Sequence, residues 1–164
     1  STVVLVLSWT LAGAAIAIVP FTEPTWHVGQ WYGLVDTADA IVFGAVASVL
    51  LARGRHVVSW LVALCAVGGG LAALGLQWSM LVVAHPDLPQ LTRLQSAQNS
   101  AWLPGTYAMI ILVPVLVRRS PMTLVERVFV AVGIVSIVGL TAIRLTDPFP
   151  WPDGDTWTLL PIRS

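Results

Sequence analysis

Five apolar stretches, joined by short polar turns, occupy nearly the whole chain, at about residues 2–20, 34–52, 57–84, 100–117 and 125–145. A bilayer-crossing helix needs roughly 17–25 predominantly apolar residues, so each stretch has the length of one crossing. Only 10% of the 164 residues are charged, where a soluble domain carries about 25%, and the mean hydropathy is +0.85. The chain therefore reads as an all-α integral membrane protein: a single polytopic domain over residues 1–164, built as a bundle of five transmembrane helices. The turns leave no room for a soluble domain.

The charges orient the bundle. All basic residues are arginine. Arg53-Gly54-Arg55-His56 joins the second and third stretches, and Arg118-Arg119-Ser120-Pro121, with Arg127 close behind, joins the fourth and fifth. The opposite side holds Arg93, Arg144 and Arg163 among Glu23, Asp36, Asp39, Asp87, Asp147, Asp153 and Asp155. The positive-inside rule then puts the N-terminus in the cytoplasm and the C-terminus outside a cell membrane. Trp26, Trp31, Trp78, Trp102, Trp151 and Trp157 all fall near the external ends, where indole rings favour the headgroup zone. They form either an anchoring belt or the wall of a pocket. No basic face interleaved with aromatics is present, which excludes a nucleic-acid partner. A lone cysteine, Cys65, excludes an intrachain disulfide.

Several features bear on packing. Gly13-x-x-x-Ala17 and Ala40-x-x-x-Gly44-x-x-x-Ser48 are small-residue stripes that allow close helix approach. Gly68-Gly69-Gly70 makes a flat patch, or a weak point, in the middle of the longest stretch. Pro20 ends the first stretch, and residues 21–32 read as an external loop. The longest internal loop, residues 86–99, keeps a loose helical period at Leu91, Leu94 and Ala97-Gln98, consistent with a short interfacial helix. Pro104-Gly105 and Pro114 predict kinks in the fourth stretch.

Chemistry is sparse. Asp36 and Asp39 stand three residues apart and share a helical face. Their readings are a solvated helix N-terminus at the outer end of the second span, a structural pair with Arg93 or Arg144, or contact with a ligand or cation. Gln77, Ser79, Gln95, Gln98, Asn99 and Ser100, beside Trp78, Trp102 and Tyr107, have the composition of a ligand cleft, with apolar walls and a few hydrogen-bonding groups. Interhelical hydrogen bonding and loop solvation explain the same residues. The candidate ligand-binding set is Asp36, Asp39, Trp78, Gln98, Asn99, Trp102 and Tyr107. His27 and His85 lack metal-ligand spacing, so no metal and no cofactor is expected. No nucleophile–base pair or phosphate-cradling loop marks an enzyme.

Between about residues 50 and 119 the motifs run in a recognisable order. The basic turn Arg53-Gly54-Arg55-His56 leads to Ser59-Trp60-Leu61, then Gly68, Trp78, Leu88-Pro89, Trp102-Leu103-Pro104-Gly105 and Pro114. This order resembles the N-terminal membrane module of actinobacterial-type sensor histidine kinases. In that family Gly-Trp-Leu stands where this chain has Ser59-Trp60-Leu61, and Asp-Gly often follows the last proline, where this chain has Val115-Leu116. The resemblance implies a sensory segment of a two-component system, a homodimer in the membrane, whose catalytic half lies outside this chain. The sequence thus predicts an input module that detects an apolar or membrane-derived stimulus. Its partners would be membrane lipids, a second copy or other membrane subunits, and a small apolar ligand. The alternative is a small subunit of a transporter or of a larger membrane complex.

Overall fold

The computed structural model describes residues 2–22, 28–54, 56–117 and 121–146. The described residues are helical, with no strand among them. Helix α1 (Thr2–Ile18) ends in a 3-10 turn, Val19–Phe21, whose first positions carry Pro20. Proline at that point supplies a fixed φ and removes a donor the helix no longer needs. Helix α2 runs Val28–Arg53 and α3 runs Val57–Ala84. Helices α4 (Thr92–Ser100), α5 (Trp102–Ile111) and α6 (Val113–Leu116) follow, and α7 (Leu124–Thr146) closes the described chain. Four segments, Thr2–Phe21, Trp31–Arg53, Val57–Ala84 and Leu124–Arg144, are long and apolar enough to cross a membrane by length and composition.

Helix α3 is the hub, flanked by α1, α2, α4 and α5. Its three consecutive glycines explain how. Successive residues point about 100° apart around a helix, so Gly68, Gly69 and Gly70 face three neighbours in turn. A Cβ on Gly68 would strike the Ala101 carbonyl, one on Gly69 would lie 3.0 Å from the Asp36 carbonyl oxygen, and one on Gly70 would lie 2.9 Å from Leu11 Cβ. Gly105 answers from α5, pressed against the Cys65 backbone. The expected flat patch is thus a three-way junction.

The stripe Ala40-x-x-x-Gly44 also packs: Ala40 is fully buried and Gly44 meets Ser8 of α1. Gly13-x-x-x-Ala17 does not, because Gly13 has open space beside it and α1 turns Ser8, Ala12 and Ala15 inward instead. Trp9 braces the α1–α2 seam by donating its indole N–H to the Ile41 carbonyl at 3.1 Å.

The segment expected as the fourth span differs from a simple crossing at 100–117. Helical backbone starts at Thr92, and the joints at Ala101 and Leu112 keep right-handed helical dihedrals. Ala101 N–H still reaches the Ala97 carbonyl and Leu112 N–H the Ala108 carbonyl, each at 2.9 Å. The joints fall where Pro104 and Pro114 remove the donors that would bond four residues back. The short helix expected in this stretch is α4, which lies along α3 as the first part of the same rod.

Helix α7 packs on α5 and α4, with Gly133 against Ile111. Its start is a capping box: Glu126 N–H donates to Thr123 Oγ1 at 3.3 Å, and Thr123 N–H donates to Glu126 Oε2 at 2.9 Å. The reciprocal pair satisfies two orphan donors.

The glycine contacts generate a contrast. Gly105→Ala forces a methyl into the α3 backbone and lowers stability by about 1–3 kcal/mol. Gly13→Ala, in open space within a helix, leaves it unchanged or raises it by up to about 1 kcal/mol. Unfolding of both variants in mixed micelles, followed by circular dichroism, checks the pair.

Candidate functional site

The polar residues of this bundle gather around α3, at two levels. The first is the glycine junction. Gly69 lies twelve residues after Val57 and fifteen before Ala84, near the middle of α3. Opposite it are the Asp36 backbone and Asp39 Cβ, the latter at 3.4 Å from a Cβ on Gly69. This differs from the expected solvated helix N-terminus. Helix α2 begins at Val28, eight residues before Asp36, so residues 28–32, expected as the end of an external loop, are already helical. Both carboxyl groups therefore sit on the body of α2, half-buried.

The expected pairing with Arg93 or Arg144 is not made. Among the described residues, no ion pair of Asp36 or Asp39 with an arginine is found, and Asp39 stands close enough to Asp36 for the two carboxyls to interact. Cys65 is buried on α3, with Thr106 of α5 beside it. Asp36, Asp39, Cys65 and Thr106 thus form a polar patch where α2, α3 and α5 meet. Cys65 and Thr106 were not among the expected site residues. Their signal was present in the Pro104-Gly105-Thr106 sequence, where a small residue brings the next hydroxyl against a neighbouring helix.

The second level lies toward the His85 end of α3. Gln77 is 6% exposed, and its amide nitrogen would stand 3.2 Å from a Cβ on Gly33. Its Oε1 has no hydrogen-bond partner, and neither has the buried Nε1 of Trp78. Beside them Thr37 Oγ1 donates to the Gly33 carbonyl at 2.6 Å and Ser79 Oγ to the Gly75 carbonyl at 2.9 Å, so those two hydroxyls are satisfied. Leaving a buried polar atom unpartnered costs about 1–3 kcal/mol. Two on consecutive residues mark this level out.

Trp102 and Tyr107 stack, with ring centroids 6.3 Å apart and planes 28° from parallel. Trp102 is not at the end of its span, as the sequence reading had it. Its Cα lies 3.5 Å from a Cβ on Gly68, level with the middle of α3, because α4 adds two turns before it. The expected set is therefore divided: Asp36, Asp39 and Trp102 lie near the glycine junction, and Trp78 belongs to the level nearer His85. The side chains of Gln98 and Asn99 lie outside the described residues, as do Trp26, His27, Trp151 and Trp157. His85 Nε2 lies 3.2 Å from the Phe21 carbonyl oxygen, tying the end of α3 to the turn after α1. Among the described residues, no three His, Cys, Asp or Glu side chains gather as a metal site.

Compared with known proteins, the chain matches no family model, no curated protein and no solved structure.

Burial of Cys65 gives a direct check on the junction. Cys65 is the only cysteine of the chain, so a maleimide reports on it without mutagenesis. Labelling in mild micelles is expected to run at least tenfold slower than in denaturing detergent. Gly105→Ala, which pushes α5 off α3, speeds it.

Proposed function

We propose that this chain is the membrane-embedded input module of a signal-transducing protein of the two-component histidine kinase kind. It crosses the cell membrane five times, with its N-terminus in the cytoplasm and its C-terminus outside, and detects an apolar or membrane-derived stimulus. The continuous helical run over residues 92–117 supports the fifth crossing, since 26 residues at 1.5 Å each reach about 39 Å, against a hydrocarbon core of about 30 Å. The arginine-bearing turns around Arg53 and Arg127 then share the cytoplasmic side. The motif order from Arg53 to Pro114 supports the kinase reading.

The observation that carries the sensory reading is the pair of unpartnered polar atoms on Gln77 and Trp78, in the half of α3 that faces outward in this topology. A stimulus transmits only if it favours one helix arrangement over another. The joint at Leu112 and the backbone contact between Gly105 and α3 are where two arrangements differ at least cost.

A transport role has one observation in its favour: Asp39 is level with the centre of α3, beside Cys65 and Thr106. A carboxylate at mid-bilayer costs about 2.5–3.5 kcal/mol on insertion scales and marks a functional position by default. The outward-facing Gly13–Ala17 stripe favours instead a partner helix in a larger complex.

Three measurements separate these readings. Trp78→Ala with Trp102→Ala is expected to abolish the stimulus response while inserting at wild-type levels, and signalling that survives the double substitution overturns the sensory reading. Site-directed labelling is expected to find the two ends on opposite faces. Proton or sodium flux into liposomes that Asp39→Asn stops would replace the input module by a conduit.

A further inference from the structure

The level of α3 that carries Gln77 and Trp78 has its own chemistry. Gln77 Oε1 is an acceptor without a donor, and Trp78 Nε1–H is a donor without an acceptor. Gln77 is more than nine-tenths buried, wedged against the Gly33 turn of α2, whereas Trp78 is only half-buried and reaches the surface of the bundle. The hydroxyls of Thr37 and Ser79 donate to their own helix carbonyls four residues back and so leave no proton for Gln77 Oε1. Buried polar groups in folded chains find partners, so orphans of this kind point to a bound group.

From these observations we infer that the Gln77–Trp78 level is a binding site for a neutral amphiphile with a hydroxyl head group. A hydroxyl both donates and accepts, which is what an amide oxygen and an indole N–H require between them. An ammonium head has no lone pair to offer the indole. An anionic head would share the α2–α3 seam with Asp36 and Asp39, whose environment shows no described cation.

Depth agrees with this class of ligand. Gln77 lies seven residues inside Ala84, about 10 Å along the axis. A helix of 28 residues is about 42 Å long and overshoots a 30 Å core by about 6 Å at each end. The site therefore sits about 4–5 Å beneath the hydrocarbon boundary, within reach of an alcohol entering from the lipid past Trp78. This names the ligand class of the input-module reading and rests on its topology.

The test uses the purified chain in maltoside micelles titrated with 1-decanol, with decane and decylamine as comparators, following the thermal midpoint. Decanol is expected to raise the midpoint saturably, and decane is not. Gln77→Leu and Trp78→Phe are each expected to weaken apparent decanol affinity about five- to tenfold, the loss of one hydrogen bond. Without probe, Gln77→Leu melts at or above the wild-type midpoint, because it removes an orphaned acceptor. A wild-type decanol response in both variants, an equal response to decane, or tighter binding of decylamine overturns the proposal. So does a lower probe-free midpoint in Gln77→Leu, which would mark a structural hydrogen bond. Decanol that binds in this way but leaves signalling unchanged sinks the input-module reading and keeps the site; signalling without decanol binding does the reverse.

Discussion

Backbone contact between α3 and its neighbours is the constraint from which the rest of this structure follows. Between apolar helices in a lipid environment there is little hydrophobic driving force, because lipid tails are as apolar as leucine. Close packing and weak Cα–H···O contacts must hold the helices together instead. Gly68, Gly69 and Gly70 provide these on three sides of α3, and Gly105 returns the contact from α5. Once these four positions touch, the register of α2 and α5 against α3 is set to within a residue. A shift of one residue would put a Cβ of Val67 or Leu71 where a glycine now stands.

That register decides what the site can be. It brings Asp39 to the centre of α3, Thr106 to Cys65, and Trp102 to Gly68. It also leaves α7 on the periphery, held by α5 and α4, with Val125, Val132, Val135 and Ile143 exposed along it. The bundle thus has a tightly packed hub of α1, α2, α3 and α5 and a loosely held last helix.

The long elements were legible because their signal is simple. Runs of more than 17 apolar residues, bounded by Arg53, His56, Pro20 and Thr123, have no other solution than helix, and the glycine triplet announced a packing surface. Depth was not legible. Asp36 and Asp39 read as terminal because the apolar stretch that holds them begins at about residue 34. In the structure both lie within α2, and a Cβ on Gly33 would stand 3.0 Å from Leu76, so that position serves packing. Trp102 read as interfacial because the polar run before it, Gln95 to Ser100, resembles a solvated loop. Those residues continue the helix, and Ser100 is buried. The capping box at Thr123-x-x-Glu126 is legible from its spacing alone.

The two levels of polar groups are coupled by the helix they share. Gln77 stands two turns from Gly69 on α3, and both contact α2, through Gly33 and through Asp36 with Asp39. Two antiparallel helices joined at two such points cannot separate at one without strain at the other, since each glycine contact is already near the limit of approach. A ligand seated at Gln77 that shifts α2 by a few tenths of an ångström therefore changes the setting of Asp39 beside Cys65. The polar level at Gln77 and the one at Asp39 are thus two points of one contact, the α2–α3 seam.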